Sequence, residues 1–216
     1  MDKNEMIEKT KTFVKENIHG DSGHDWSHAE RVYNNATNIQ KQEGGDLFII
    51  QLAALLHDIA DWKFNNKDDS VGSKLAKEYM ESIGLDKKIT EHVCSIIKDV
   101  SFKGAKVKSN IHTLEGKIVQ DADRLDALGA IGIARCFNYG GYSGQKMHDH
   151  NKKIVMHESK EEYFKGDTTS INHFYEKLLL LKDLMNTKTA KKMAEDRHKF
   201  MEKFLEEFFK EWDGKN

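Results

Sequence analysis

The stretch "LAALLHDIADW", residues 52–62, carries an apolar helical run into two costly polar side chains, His57 and Asp58. Leu52, Ala53, Leu55, Leu56 and Ile59 have the spacing of a buried helix, and a charged or polar pair is rarely left there without a partner. Adjacent helical side chains project about 100° apart, which suits two neighbouring positions of an octahedral ion better than one hydrogen-bonded pair. The doublet by itself is a short signal, because a histidine near a helix C-terminus is favourable on its own account.

Two further stretches add to it. "GHDWSHAERV", residues 23–32, puts His28 at the start of a helix with Arg31 one turn later, and has a second His–Asp dipeptide, His24–Asp25, ahead of that helix. "KIVQDADRLDALGAIGIAR", residues 117–135, sets Asp121, Asp123 and Asp126 into an otherwise apolar helical pattern. Carboxylates in a core helix need compensation, and a divalent cation supplies it. Histidine mixed with aspartate suits Mn, Fe, Co or Ni more than a structural thiolate zinc site. Salt bridging with Lys117 or Arg124 is the competing account of these acids.

Composition narrows the class. The chain has 216 residues, a formal charge of −2 and 32% charged residues, so no strong overall field calls for nucleic acid or an anionic membrane. Its apolar stretches fall well short of the roughly 20 residues that span a bilayer, and "MDKNEMIEKTKTF" has no signal-peptide core, so the expectation is a cytoplasmic protein. Cys94 and Cys136, two and far apart, indicate neither a disulfide framework nor a zinc cluster.

Helical periodicity dominates, and no set of alternating strands competes with it. The spacing predicts helices at about 3–18, 27–42, 47–60, 70–83, 87–100, 113–138, 169–186 and 188–212. Proline is absent, so glycines punctuate the chain. The stretch 139–168 is long and weakly periodic, with Gly140, Gly141, Gly144 and Gly166, and reads as a substrate-facing loop or lid. Phe200, Phe204, Phe208 and Trp212 form a stripe on the last helix, expected to be core or a partner face.

The order of these motifs, His then His–Asp then Asp on successive helices, resembles the HD-domain superfamily of metal-dependent phosphohydrolases. With "TSINHFYEKLLLLKDLMNT", residues 169–187, the likeness extends over about residues 20–212, to bacterial HD proteins grouped with nucleotide pyrophosphohydrolases. The resemblance implies an all-α, single compact domain spanning 1–216, with a motif-bearing core at about 20–138 and C-terminal helices at about 169–212. It makes His28, His57, Asp58 and Asp123 the metal ligands. The family form "H-x-x-R-V" selects His28 over His24, and "A-D-x-L" selects Asp123 over Asp121, which remains a supporting acceptor. Mn is the expected ion, with Mg, Co, Ni and Fe as alternatives.

The implied reaction is hydrolysis of a phosphate ester or anhydride, with the ion activating water and neutralising phosphoryl charge. A nucleoside triphosphate cleaved to monophosphate and pyrophosphate is the leading substrate. Asp61, three residues after Asp58, is the candidate to orient or deprotonate the water, although related enzymes often have Glu at about this place. Lys63 and Arg31 are the candidate phosphate-binding cations. His92 is a reserve ligand for a second ion. The alternatives are another HD activity, on cyclic nucleotides, nucleoside monophosphates or guanosine tetraphosphate, or a nucleotide sensor without turnover, or a helical interaction module using the aromatic stripe. No nucleic-acid or membrane partner is expected, and a homodimer is compatible with the sequence.

Overall fold

The computed structural model describes residues 1–18, 25–59, 70–100, 110–156 and 168–215. Among these residues the regular structure is all helical, with no strand, in agreement with an all-α fold. The helices are α1 (Lys3–Asn17), α2 (Trp26–Glu43), α3 (Leu47–Leu56), α4 (Ser70–Ser82), α5 (Lys87–Val100), α6 (Leu114–Asp126), α7 (Gly129–Tyr142), α8 (Ser170–Glu176) and α9 (Lys188–Trp212), with a 3-10 segment at Leu178–Leu184. The described residues group into two compact units, 1–18, 25–59, 70–100 and 110–123 in the first, and 124–156 and 168–215 in the second.

In the first unit α3 is the central element. Asp46 caps it through the amides of Phe48 and Ile49, and Phe48 to Ile50 and Leu52 to Leu56 are all buried. A helix buried on every side has no polar face to spare. Helices α1, α2 and α5 pack around it. Each fully buried leucine, such as Leu52, Leu55 and Leu56, stabilises this arrangement by about 1.5–3 kcal/mol. Helix α5 offers it one amphipathic face, with Val93, Ile96, Ile97 and Val100 buried at helical spacing.

In the second unit α9 packs on α7 and on the 3-10 segment. Its buried stripe is Ala190, Ala194, His198, Met201 and Leu205. The aromatic stripe is therefore only partly core. Phe204 and Phe208 join Phe137 and Phe174 in a ring cluster with centroids 5.8–6.4 Å apart, whereas Phe200 is 52% exposed and Trp212 43%. Steps of four residues drift about 40° per step around a helix, so a stripe 200–204–208–212 leaves the core at its ends.

Two expected helices are broken. The run 113–138 divides into α6 and α7, because Gly129 adopts φ 70°, and a Cβ there would lie 3.1 Å from Arg197 Cβ and Cγ. The last carbonyls of α6 are capped by arginines of the same unit: Arg197 donates to Leu125 O, and Arg135 to Asp126 O at 3.2 Å. The run 169–186 breaks at Lys177, whose φ −142°, ψ −60° is non-helical.

The expected lid begins inside α7, so residues 139–142 are helical rather than loop. The described part beyond it is tied to α8. Lys146 O and Met147 O accept from the amides of Ser170 and Ile171 at 3.0 Å each, and Asn172 Nδ2 donates to Lys152 O and Lys153 O at 3.2 Å. Gly140 is buried where a Cβ would meet Ser170 Oγ at 2.3 Å, so this glycine permits close packing rather than hinge motion. Residues 157–167, with Gly166, lie outside the described residues.

Candidate metal centre

His28 owes its place to Asp25. The Asp25 carboxylate caps α2 by accepting the His28 amide at 2.9 Å, which holds the histidine in the first turn with its side chain buried. Asp25 of the second His–Asp dipeptide is thus a helix cap, and His24 lies outside the described residues. His57 follows the last residue of α3, still in right-handed helical backbone, and Asp58 continues the turn. Asp123 lies on α6, two turns beyond Glu115. All four belong to the first unit.

Their ligand atoms converge. His28 Nε2 lies 3.2 Å from His57 Nε2, 3.4 Å from Asp58 Oδ2 and 3.5 Å from Asp123 Oδ1. His57 Nε2 lies 3.6 Å from Asp58 Oδ2 and 3.9 Å from Asp123 Oδ1. His28, His57 and Asp58 each offer an atom within 4.8 Å of the other two. An ion about 2.0–2.3 Å from each ligand sets neighbouring ligands roughly 3–3.5 Å apart, so these separations fit a shared cation with side-chain adjustment alone.

The second nitrogen of His57 fixes its tautomer. His57 Nδ1 lies 2.8 Å from Ala54 O, and a carbonyl only accepts, so Nδ1 carries a proton, and in the neutral ring Nε2 is the lone-pair nitrogen that faces the cluster. This is the outer hydrogen bond by which a protein orients an imidazole ligand. As a ligand set, two neutral imidazoles and two carboxylates would carry −2 between them, the complement of a divalent cation. The histidine side chains are each 1% exposed, while those of Asp58 and Asp123 are 17% and 25% exposed. The imidazoles are the buried part of the cluster, and the carboxylates are the part open to water.

The three aspartates of α6 separate by environment. Asp123 joins the histidines. Asp121 is fully buried, and Asp126, 1% exposed, takes a hydrogen bond from Arg135 Nη1 at 2.9 Å in the second unit. Arg124 donates to Leu184 O in that unit. Arg31 is half-buried on α2, one turn beyond His28. Asp61 and Lys63 lie outside the described residues. His92, the reserve ligand, faces Glu115 rather than this cluster, with Nε2 3.9 Å from Glu115 Oε2. The sequence pattern does not single out Glu115.

Residues 25–128 match the family model of the HD domain. The uncharacterised protein YpgQ of Bacillus subtilis is 38% identical over 214 residues, covering 97% of this chain and 95% of its own. A crystal structure of an HD-superfamily hydrolase from Bacillus thuringiensis matches with TM-score 0.76 and 47% identity, over 98% of this chain and 99% of the other. The crystal structure of Bacillus subtilis YpgQ in complex with ADP matches with TM-score 0.75 and 35% identity, over 95% and 97%. No described helix is long and apolar enough to cross a membrane.

Proposed function

The chain belongs to the HD-domain superfamily and is a metal-dependent phosphohydrolase, and we propose that it cleaves nucleoside triphosphates to monophosphate and pyrophosphate. The observation that carries this reading is the cluster of His28, His57, Asp58 and Asp123 with separations of 3.2–3.9 Å. The ADP bound to Bacillus subtilis YpgQ supports a nucleotide as the phosphate-bearing partner.

In this proposal those four side chains hold the ion, Mn by preference for a mixed imidazole and carboxylate set. The bound ion supplies a lowered pKa for water and charge neutralisation on phosphoryl oxygens. Asp61 orients the attacking water and takes its proton. The water oxygen bonds to the α-phosphorus, the bond to the α,β-bridging oxygen breaks, and pyrophosphate departs. Arg31 and Lys63 meet phosphate oxygens, Arg31 by its forked geometry and Lys63 as a point charge. The whole chain, 1–216, acts as one HD-type domain in the cytoplasm, on small molecules rather than nucleic acid, and is compatible with a homodimer.

Product analysis tests it. With Mn and a panel of ribo- and deoxyribonucleoside triphosphates, phosphorus NMR should show pyrophosphate and monophosphate rising together. Orthophosphate with nucleoside diphosphate would move the cleavage to the β,γ bond and overturn the reading. Nucleotide binding with no product would make the chain a sensor.

A further inference from the structure

Glu115 stands at the start of α6 and reaches the start of α3. Its Oε1 accepts the Asp46 amide at 3.0 Å, across 69 positions of sequence, and the side chain is 17% exposed. Asp46 is the cap of α3, so this amide sits at the end of the helix opposite His57. The other oxygen, Oε2, faces α5, where the buried His92 Nε2 lies 3.9 Å away with no hydrogen-bond partner among the described residues. The carboxylate comes this close because residue 45 is glycine: a Cβ on Gly45 would stand 3.2 Å from Glu115 Oε1 and 3.4 Å from Ile50 Cδ1.

The two helices that meet at Glu115 carry separate parts of the metal-binding cluster. Helix α3 delivers His57 and Asp58 just past its C-terminus, and α6 delivers Asp123 eight residues beyond Glu115. Helices are stiff rods rising about 1.5 Å per residue, so a slip at one end is transmitted to the other. Asp123 Oδ1 stands 3.9 Å from His57 Nε2, and an axial slip of one residue would take it out of coordinating range.

We propose that Glu115 is a positioning residue for the metal centre: by holding the Asp46 amide it fixes the register of α6 against α3, and with it the distance of Asp123 from His57 and Asp58. The role rests on the metal-binding reading of those residues. It acts through the ligands, and Glu115 itself touches neither ion nor substrate.

The test is titration of the full chain with Mn, reading free Mn by its paramagnetic resonance signal, alongside thermal melts. Wild type, Glu115→Ala, Glu115→Gln, Glu115→Asp and Asp58→Ala are compared. Glu115→Ala should bind Mn about tenfold more weakly, the lower end of what outer supports of a metal site contribute. Glu115→Gln keeps an oxygen that accepts the Asp46 amide and should recover most of the affinity. Glu115→Asp, one methylene short, should lose affinity even if Glu115→Ala does not fold. A merely structural role would lower the melting temperature and leave the Mn affinity of the folded chain unchanged, and that result in Glu115→Ala or Glu115→Asp would overturn the proposal. If Asp58→Ala binds Mn as tightly as wild type, the metal-site reading itself fails. If Asp58→Ala loses binding and both shortened Glu115 variants keep it, only the positioning role fails.

Discussion

His57 Nε2 points at His28 Nε2 from 3.2 Å, and the ring is held there by a 2.8 Å hydrogen bond from its own Nδ1 to Ala54 O. The two nitrogens of one imidazole therefore have separate tasks, one anchored to α3 and one available to the cluster. Nitrogen NMR of the metal-free chain should show His57 as the Nδ1-protonated tautomer. Finding the proton on Nε2 would remove the lone pair on which ligation by His57 depends.

The proposed role of Asp61 separates binding from chemistry. Asp61→Asn keeps shape and hydrogen bonding but removes the basic carboxylate, so turnover should fall about 10² to 10⁴-fold, the usual contribution of a general base. Metal content should hold. Loss of Mn would make Asp61 a ligand or a support for one, and unchanged turnover would remove it from the chemistry.

The break between α6 and α7 depends on a residue with no side chain. Gly129 combines φ 70° with a place where a Cβ would stand 3.1 Å from Cβ and Cγ of Arg197, whose guanidinium caps Leu125 O. Gly129→Ala should cost about 1–3 kcal/mol through backbone strain and displacement of that arginine. Urea unfolding measures it, and a change under about 0.5 kcal/mol would contradict this account of the break.

Acid should weaken the second unit through His148. Burial, followed by the neighbouring charge of His150, holds the His148 pKa below its ordinary 6.5, with Asp149 and Asp213 acting in the opposite direction. The ring packs edge-on against Phe208, Phe209 and Trp212. A histidine whose folded pKa is lowered binds protons more readily when unfolded, so stability is full above about 6.5 and falls as pH drops through the folded pKa. His148→Gln should flatten the loss of melting temperature between neutral pH and about pH 5. An unchanged slope would assign the acid sensitivity to other groups.

Much of this was legible in the sequence because it was local. The doublet after an apolar run marked the end of α3, and polar aspartates in an apolar pattern marked α6. The boundaries of α5 and α9 followed from periodicity, since each presents a regular apolar stripe. Tertiary decisions were not legible. Periodicity runs through Ala127 and Leu128 without a break, and the break comes from Gly129 meeting Arg197, 68 positions away. Asp123 and Asp121 differ by two residues, and separating them took a family pattern, because spacing alone leaves both on a buried helix. Glu115 was missed since its partner, Asp46, is a backbone amide, and an amide leaves no mark on sequence pattern.

The central claim is that His28, His57, Asp58 and Asp123 hold one divalent ion. Anomalous X-ray scattering at the Mn edge from crystals of the Mn-loaded chain tests it most directly. The predicted result is a peak within about 2.0–2.3 Å of both Nε2 atoms and one oxygen of each aspartate, abolished in His57→Ala, whose helical circular dichroism stays close to wild type. A peak elsewhere, or one that persists in His57→Ala at the same occupancy, would contradict the account.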